Sequence, residues 1–135
     1  VNKEAIMKGI GVFVLTTACA AGTAMAADFD GSHELICAPV LAMDCAEGAE
    51  CLTGTPAQMG APAFIRVDAA KKTVGGARRS LPILQLERTT EQLLLQGADA
   101  GQAWAMVIDA SSGRMYATIT GRDGAIVMIG SCTPA

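Results

Sequence analysis

From residue 63 onward, apolar and polar residues alternate in short runs broken by turn residues. Ala63-Phe64-Ile65-Arg66-Val67-Asp68 sets Ile65 and Val67 on one face. Lys71-Lys72-Thr73-Val74 follows a tight turn and stops at Gly75-Gly76. Ile83 to Arg88 sets Leu84 and Leu86 opposite Gln85 and Glu87. Gln92 to Gln96 carries three leucines and ends at Gly97. In Gln102 to Asp109, Trp104, Met106 and Ile108 share a side. In the next run Met115, Ala117 and Ile119 alternate with Tyr116, Thr118 and Thr120, and Ala125 to Ile129 is the last strand before Cys132. Ala110-Ser111-Ser112-Gly113 and Gly121-Arg122-Asp123-Gly124 are the intervening turns. A side-chain period of two fits strands, and turn signals every 8–12 residues fit an all-β sheet or barrel. Thr89 to Gln96 also holds a helix-start pattern, but it is short and flanked by breakers, so strand is preferred.

The expected architecture is an antiparallel meander that forms a small barrel or strongly curled sheet. Its sequential strands are joined by short turns, which favours antiparallel neighbours. Residues 61–135 make the meander. Residues 27–60 read as an acidic, loop-rich cap with a short strand or two, part of the same domain. This cap carries six carboxylates and no Lys or Arg, whereas residues 61–135 have a net charge of +2.

Residues 1–26 read as a signal peptide. Lys3 and Lys8 supply a positive start, Ile10 to Ala21 an apolar stretch, and Ala24-Met25-Ala26 a small-x-small cleavage box. Met7-Lys8 opens a compact signal by itself, so Val1 to Ile6 read as an upstream extension. Thr16-Thr17-Ala18-Cys19 approaches a lipoprotein box but has Thr16 where an aliphatic residue belongs, and the soluble reading is kept. No membrane span is expected after cleavage, and the expected location is the periplasm or the exterior.

Cleavage leaves Cys37, Cys45, Cys51 and Cys132. An even cysteine count in an exported domain implies two disulfides with three connectivities. The spacing favours Cys45–Cys51, which brackets a polar reversal around Gly48, and Cys37–Cys132, which ties the start of the domain to its last strand. In the loop-entropy account the short bridge contributes roughly 2 kcal/mol and the long one nearly 5. The spacings lack any C-x-x-C pair, against both a four-cysteine zinc site and a thioredoxin-like motif.

The 135 residues are 51% hydrophobic and 17% charged, which excludes a disordered chain. The net charge of −3 argues against nucleic acid as a partner. One histidine, His33, removes multi-histidine metal sites and leaves a single imidazole base. None of Ser80, Ser111, Ser112 or Ser131 sits in a nucleophile elbow. Asp28-x-Asp30-Gly31 lacks the distal Glu of a calcium loop, and Asp44, Glu47 and Glu50 fit a solvated disulfide loop better than a cation site. Met43, Met59, Met106, Met115 and Met128 are spaced as core filling rather than as a copper set. No catalytic set, cofactor or metal is expected.

Two places are candidates for meeting a partner. Arg78-Arg79, with Lys71-Lys72 and Arg66 nearby, is the basic cluster, and Ser111-Ser112-Gly113-Arg114 is an exposed hairpin. Trp104, Tyr116 and Phe64 are candidates for the ligand mouth of a barrel, with Trp104 also fitting the core.

The stretch from Trp104 to Thr120, closing on Gly130-Ser131-Cys132-Thr133-Pro134, resembles small uncharacterised exported β proteins of proteobacteria. The resemblance covers roughly residues 35–134. It implies a periplasmic, disulfide-bonded β domain and carries no catalytic residues. A looser similarity is to the periplasmic inhibitors of C-type lysozyme, although their Ser-Gly-Ser-Gly-Ala-Lys-Tyr-type loop is missing. The function expected is therefore a non-catalytic binding or accessory protein of the periplasm, with a protein or small-molecule partner. The alternatives are an inhibitor of a cell-wall hydrolase, a small-ligand carrier and a hydrolase without a recognisable motif.

Overall fold

A computed structural model describes residues 28–135. The proposed signal segment, its cleavage box and Cys19 lie outside them. The described chain is all-β, with ten strands in one strongly curled antiparallel sheet. The strands are β1 (Leu35–Cys45), β2 (Leu52–Gly54), β3 (Ile65–Asp68), β4 (Thr73–Gly75), β5 (Ser80–Pro82), β6 (Gln85–Arg88), β7 (Gln92–Asp99), β8 (Gln102–Asp109), β9 (Arg114–Gly121) and β10 (Gly124–Pro134). A 3-10 turn spans Pro56–Met59. Thr89 to Gln96 contributes to a strand, and Gly97 does not end β7, which runs on to Asp99.

The order across the sheet is β5-β4-β3-β1-β10-β9-β8-β7-β6, with β2 paired to β1 beside this path. The two edges, β5 and β6, follow one another in the chain. They meet at Ile83-Leu84, where the Ile83 amide donates to the Lys72 carbonyl at 2.8 Å and the Leu84 amide to the Gln96 carbonyl at 2.9 Å. Successive amides of an extended chain point opposite ways, so this corner reaches β4 on one side and β7 on the other. At the corner the inward residues are Ile83 before it and Leu86 after it, and Leu84, expected to share a face with Leu86, points outward with 69% exposure.

The alternation of the chain becomes three inward rows across the sheet. The first runs Leu93, Ile108, Met115, Gly130, Pro39; the second Leu95, Met106, Ala117, Met128, Ala42; the third Gly97, Trp104, Ile119, Ile126, Asp44. Leu35, Cys37, Val67, Leu93, Leu95, Ile108 and Met115 are fully buried and form the heart of the core. The bulk of this core is aliphatic and sulfur-bearing, as the low aromatic content requires.

β1 departs from the loop-rich reading of residues 27–60. It is an eleven-residue strand at the centre of the sheet. Its pattern is masked in the sequence because Pro39 interrupts it. The register shifts between Pro39 and Leu41, so Val40 is an extra residue in a β-bulge, and bulges are where a sheet accepts proline. Gly130 faces this bulge: a Cβ there would lie 2.2 Å from the Ala38 carbonyl oxygen. The proline, the bulge and the facing glycine therefore form one local solution.

Both disulfides join the pairs that the spacing favoured. Cys37–Cys132 links directly opposed residues of β1 and β10, with Cα atoms 3.9 Å apart. Cys45–Cys51 closes the loop between β1 and β2. Such cross-links belong to an oxidising setting outside the cytoplasm.

Candidate functional site

The curled sheet has two unlike ends. One is plugged by residues 28–34. Phe29 packs on the core and covers Gly113, where a Cβ would lie 2.6 Å from the Phe29 ring. Gly31 is buried over Leu93 and Ala69, with φ +77° and no room for a side chain. Arg88 Nη2 donates to the Gly31 carbonyl at 3.1 Å and holds the plug in place.

The Ser111–Arg114 hairpin caps the same end. Asp109 Oδ1 accepts from the Ser111 and Ser112 amides at 3.0 and 2.7 Å and from their hydroxyls at 2.7 and 2.9 Å. These hydrogen bonds, led by the Ser111 hydroxyl, lower the Asp109 pKa to about 2. The Ser111 and Ser112 hydroxyls are thus spent on shaping a turn. His33 and Ser131 are exposed. Among the described residues, no group of three or more His, Cys, Asp or Glu side chains is placed to hold a metal ion, and no helix is long and apolar enough to cross a membrane.

The other end is a half-open cavity of about 970 Å³. Its floor is core: Met106, Ala117 and Met128 of the second inward row, with Ile65 and Val74 beside them. Trp104 and Ile119 of the third row and Leu81 of β5 line it further. Phe64 and the β4–β5 loop, with Arg78 and Arg79, also line it. The inward residue at the middle of β9 is Ala117, between Met115 and Ile119, and its short side chain leaves space on the floor that a longer one would enter.

Trp104 is half-buried and shields the backbone of Gly97, its cross-strand partner. A Cβ on Gly97 would come within 2.3 Å of the indole ring, so this glycine makes room for it. The indole Nε1 is buried there without a hydrogen-bond partner. The third aromatic candidate, Tyr116, is on the outer face instead. It belongs to an outward apolar row of Leu94, Val107, Tyr116, Ile129 and Leu41, aligned across five neighbouring strands.

Arg79 forms an ion pair with Asp99. This pair joins the β4–β5 loop to the end of β7, across the line where the sheet edges approach. Arg66 Nη1 is 2.9 Å from Glu34 Oε1. Among the described residues, Arg78 is paired with no carboxylate, and the cavity lining holds no Asp or Glu.

The two candidate partner sites do not form one surface. Arg78 and Arg79 stand at the cavity, tied to the β7–β8 end, whereas Ser111 to Arg114 cap the far end of β8, roughly 25 Å away at strand rise. Of the residues that sequence patterning nominated for a ligand mouth, Trp104 and Phe64 line the cavity. Ala117, Met106, Met128 and the Ala61-Pro62 segment were not nominated. Their one signal in the sequence is small residues at inward strand positions in a chain with few aromatics. No family model, curated protein or solved structure matches the chain.

Proposed function

We propose that this chain is an exported, non-catalytic binding protein of the periplasm that takes a small, largely apolar molecule into the cavity between β3–β5 and β8–β10. The observation that carries this reading is a half-open space of about 970 Å³ floored by buried core side chains. Ligand pockets are typically roughly 300–1,000 Å³ and mostly apolar, with a few polar groups, and this one fits that description. The hydroxyls of Ser111 and Ser112 are committed to Asp109, which favours binding over chemistry at that hairpin. The two disulfides and the signal-like N-terminus support export.

The test is uptake of N-phenyl-1-naphthylamine, an uncharged probe that brightens in apolar surroundings, by the oxidised protein. One probe per chain is expected, with energy transfer from Trp104, the single tryptophan. Ala117→Phe puts a ring on the cavity floor and is expected to abolish uptake in a protein that keeps its strand circular dichroism. A folded wild-type protein that takes up no probe would overturn the reading, as would probe uptake that Ala117→Phe leaves intact.

A further inference from the structure

Resting on that reading, we infer that the ligand is an anionic single-chain amphiphile, its alkyl tail on the Met106–Ala117–Met128 floor and its head group against Arg78. Three observations converge on this class. The floor and walls are apolar, so the bound part of the ligand is a hydrocarbon body. The charged side chains that line the cavity are all arginines, with no carboxylate among them. Two of these cations are already engaged, Arg66 by Glu34 and Arg79 by Asp99, whereas Arg78 is exposed and unpaired among the described residues. A planar guanidinium offers a fork of donors that matches a carboxylate, and with Arg79 neutralised by Asp99 the uncompensated charge at the mouth is that of Arg78. A cationic ligand would meet like charge there with no acid to receive it. A neutral ligand would use the floor and leave the arginine idle.

The choice of a free amphiphile over a lipid in a bilayer follows from the floor. The lining passes from the exposed Phe64, Arg78 and Arg79 at the mouth to the core residues Met106, Ala117 and Met128 at the base. A head group fixed in a membrane plane would have to deliver its tail to that base. An amphiphile in solution enters the cavity end-on.

The experiment compares dodecanoate, dodecanol and dodecyltrimethylammonium, three probes with one tail and different heads, each below its aggregation threshold, by calorimetry and Trp104 fluorescence. Dodecanoate is expected to bind about 10-fold or more tighter than dodecanol, the size of one charge-assisted contact, and dodecyltrimethylammonium weakest. Arg78→Ala is expected to bring dodecanoate affinity down towards that of dodecanol, and Arg78→Lys to restore part of it. Equal binding of all three heads would overturn the head-group assignment while leaving the cavity reading standing. Binding of none would overturn the cavity reading itself. Sedimentation with phosphatidylglycerol vesicles, without uptake of dodecanoate from solution, would overturn the choice of a free amphiphile.

Discussion

Two junctions hold the curled sheet together, one between its central strands and one between its edges, and they are built differently. At the β1–β10 seam the ladder runs from Leu35–Pro134 to Cys45–Ala125, and the Cys37–Cys132 bond crosses it. At the β5–β6 corner no ladder joins the edge strands. The two corner amides and the Arg79–Asp99 pair span the gap. The cavity lies beside the second junction, lined there by Val74 to Arg79 and by Leu81, with Trp104 also in its lining. The difference teaches that covalent and ladder strength are concentrated opposite the opening. The side that would admit a ligand is held by a few polar contacts that can yield.

The contrast breaks most visibly at the strong seam. Replacing Cys37 and Cys132 together by serine removes a cross-link between residues 95 apart. Loss of roughly 4–5 kcal/mol is expected, against roughly 2 for the Cys45–Cys51 pair. Denaturant unfolding of the two double variants measures the ratio, and equal losses would show that the seam does not depend on its bridge.

At the weak seam the effect is expected to be smaller and local. Arg79 and Asp99 side chains are 63% and 31% exposed, so Arg79→Ala is expected to cost less than about 1 kcal/mol. Amide exchange at Ile83 and Leu84 is nevertheless expected to quicken, while exchange along β1 and β10 stays as it was. Unchanged exchange at the corner would mean that the pair does not hold the edges together.

The smallest effect concerns acid, and it falls on the plugged end. Asp109, Asp68 and Asp30 accept hydrogen bonds in turns there, and each carboxyl is held below its ordinary value of 3.8, Asp109 at about 2. A carboxyl whose folded pKa is depressed favours the folded state above its unfolded value and loses that contribution as pH falls through the folded one. Stability is therefore expected to decline from about pH 4 to pH 2, with Asp109→Asn flattening part of the slope. Unfolding midpoints across that range check it, and the wild-type cavity should still take up probe at pH 4.

Much of the fold is legible in the residues themselves. Trp104-Met106-Ile108 and Met115-Ala117-Ile119 declare their inward faces by alternation alone. The four cysteines leave three pairings open, and the favoured one is the pairing found, because a five-residue reversal and a first-to-last strand contact are simple geometries. β1 is not legible, because Pro39 reads as a breaker until Gly130 is seen opposite the bulge. Leu84 is misplaced by the same logic, since a bend between two pairing partners resets which side faces in. The cavity is the least legible part. It is set by which inward side chains meet across β3–β5 and β8–β10, and no single run of residues carries that register.

One consequence of the strand order lies in time rather than in space. Every ladder but β1–β10 joins strands that are adjacent or next but one along the chain. Local pairing is fast and distant pairing slow, so the ribbon can grow hairpin by hairpin from either side of the Ile83-Leu84 corner. The meeting of β1 with β10 comes last. Cys37 and Cys132 come face to face only at that moment, so oxidation of this pair records completion, and a newly made chain is locked only after its other strands are in register.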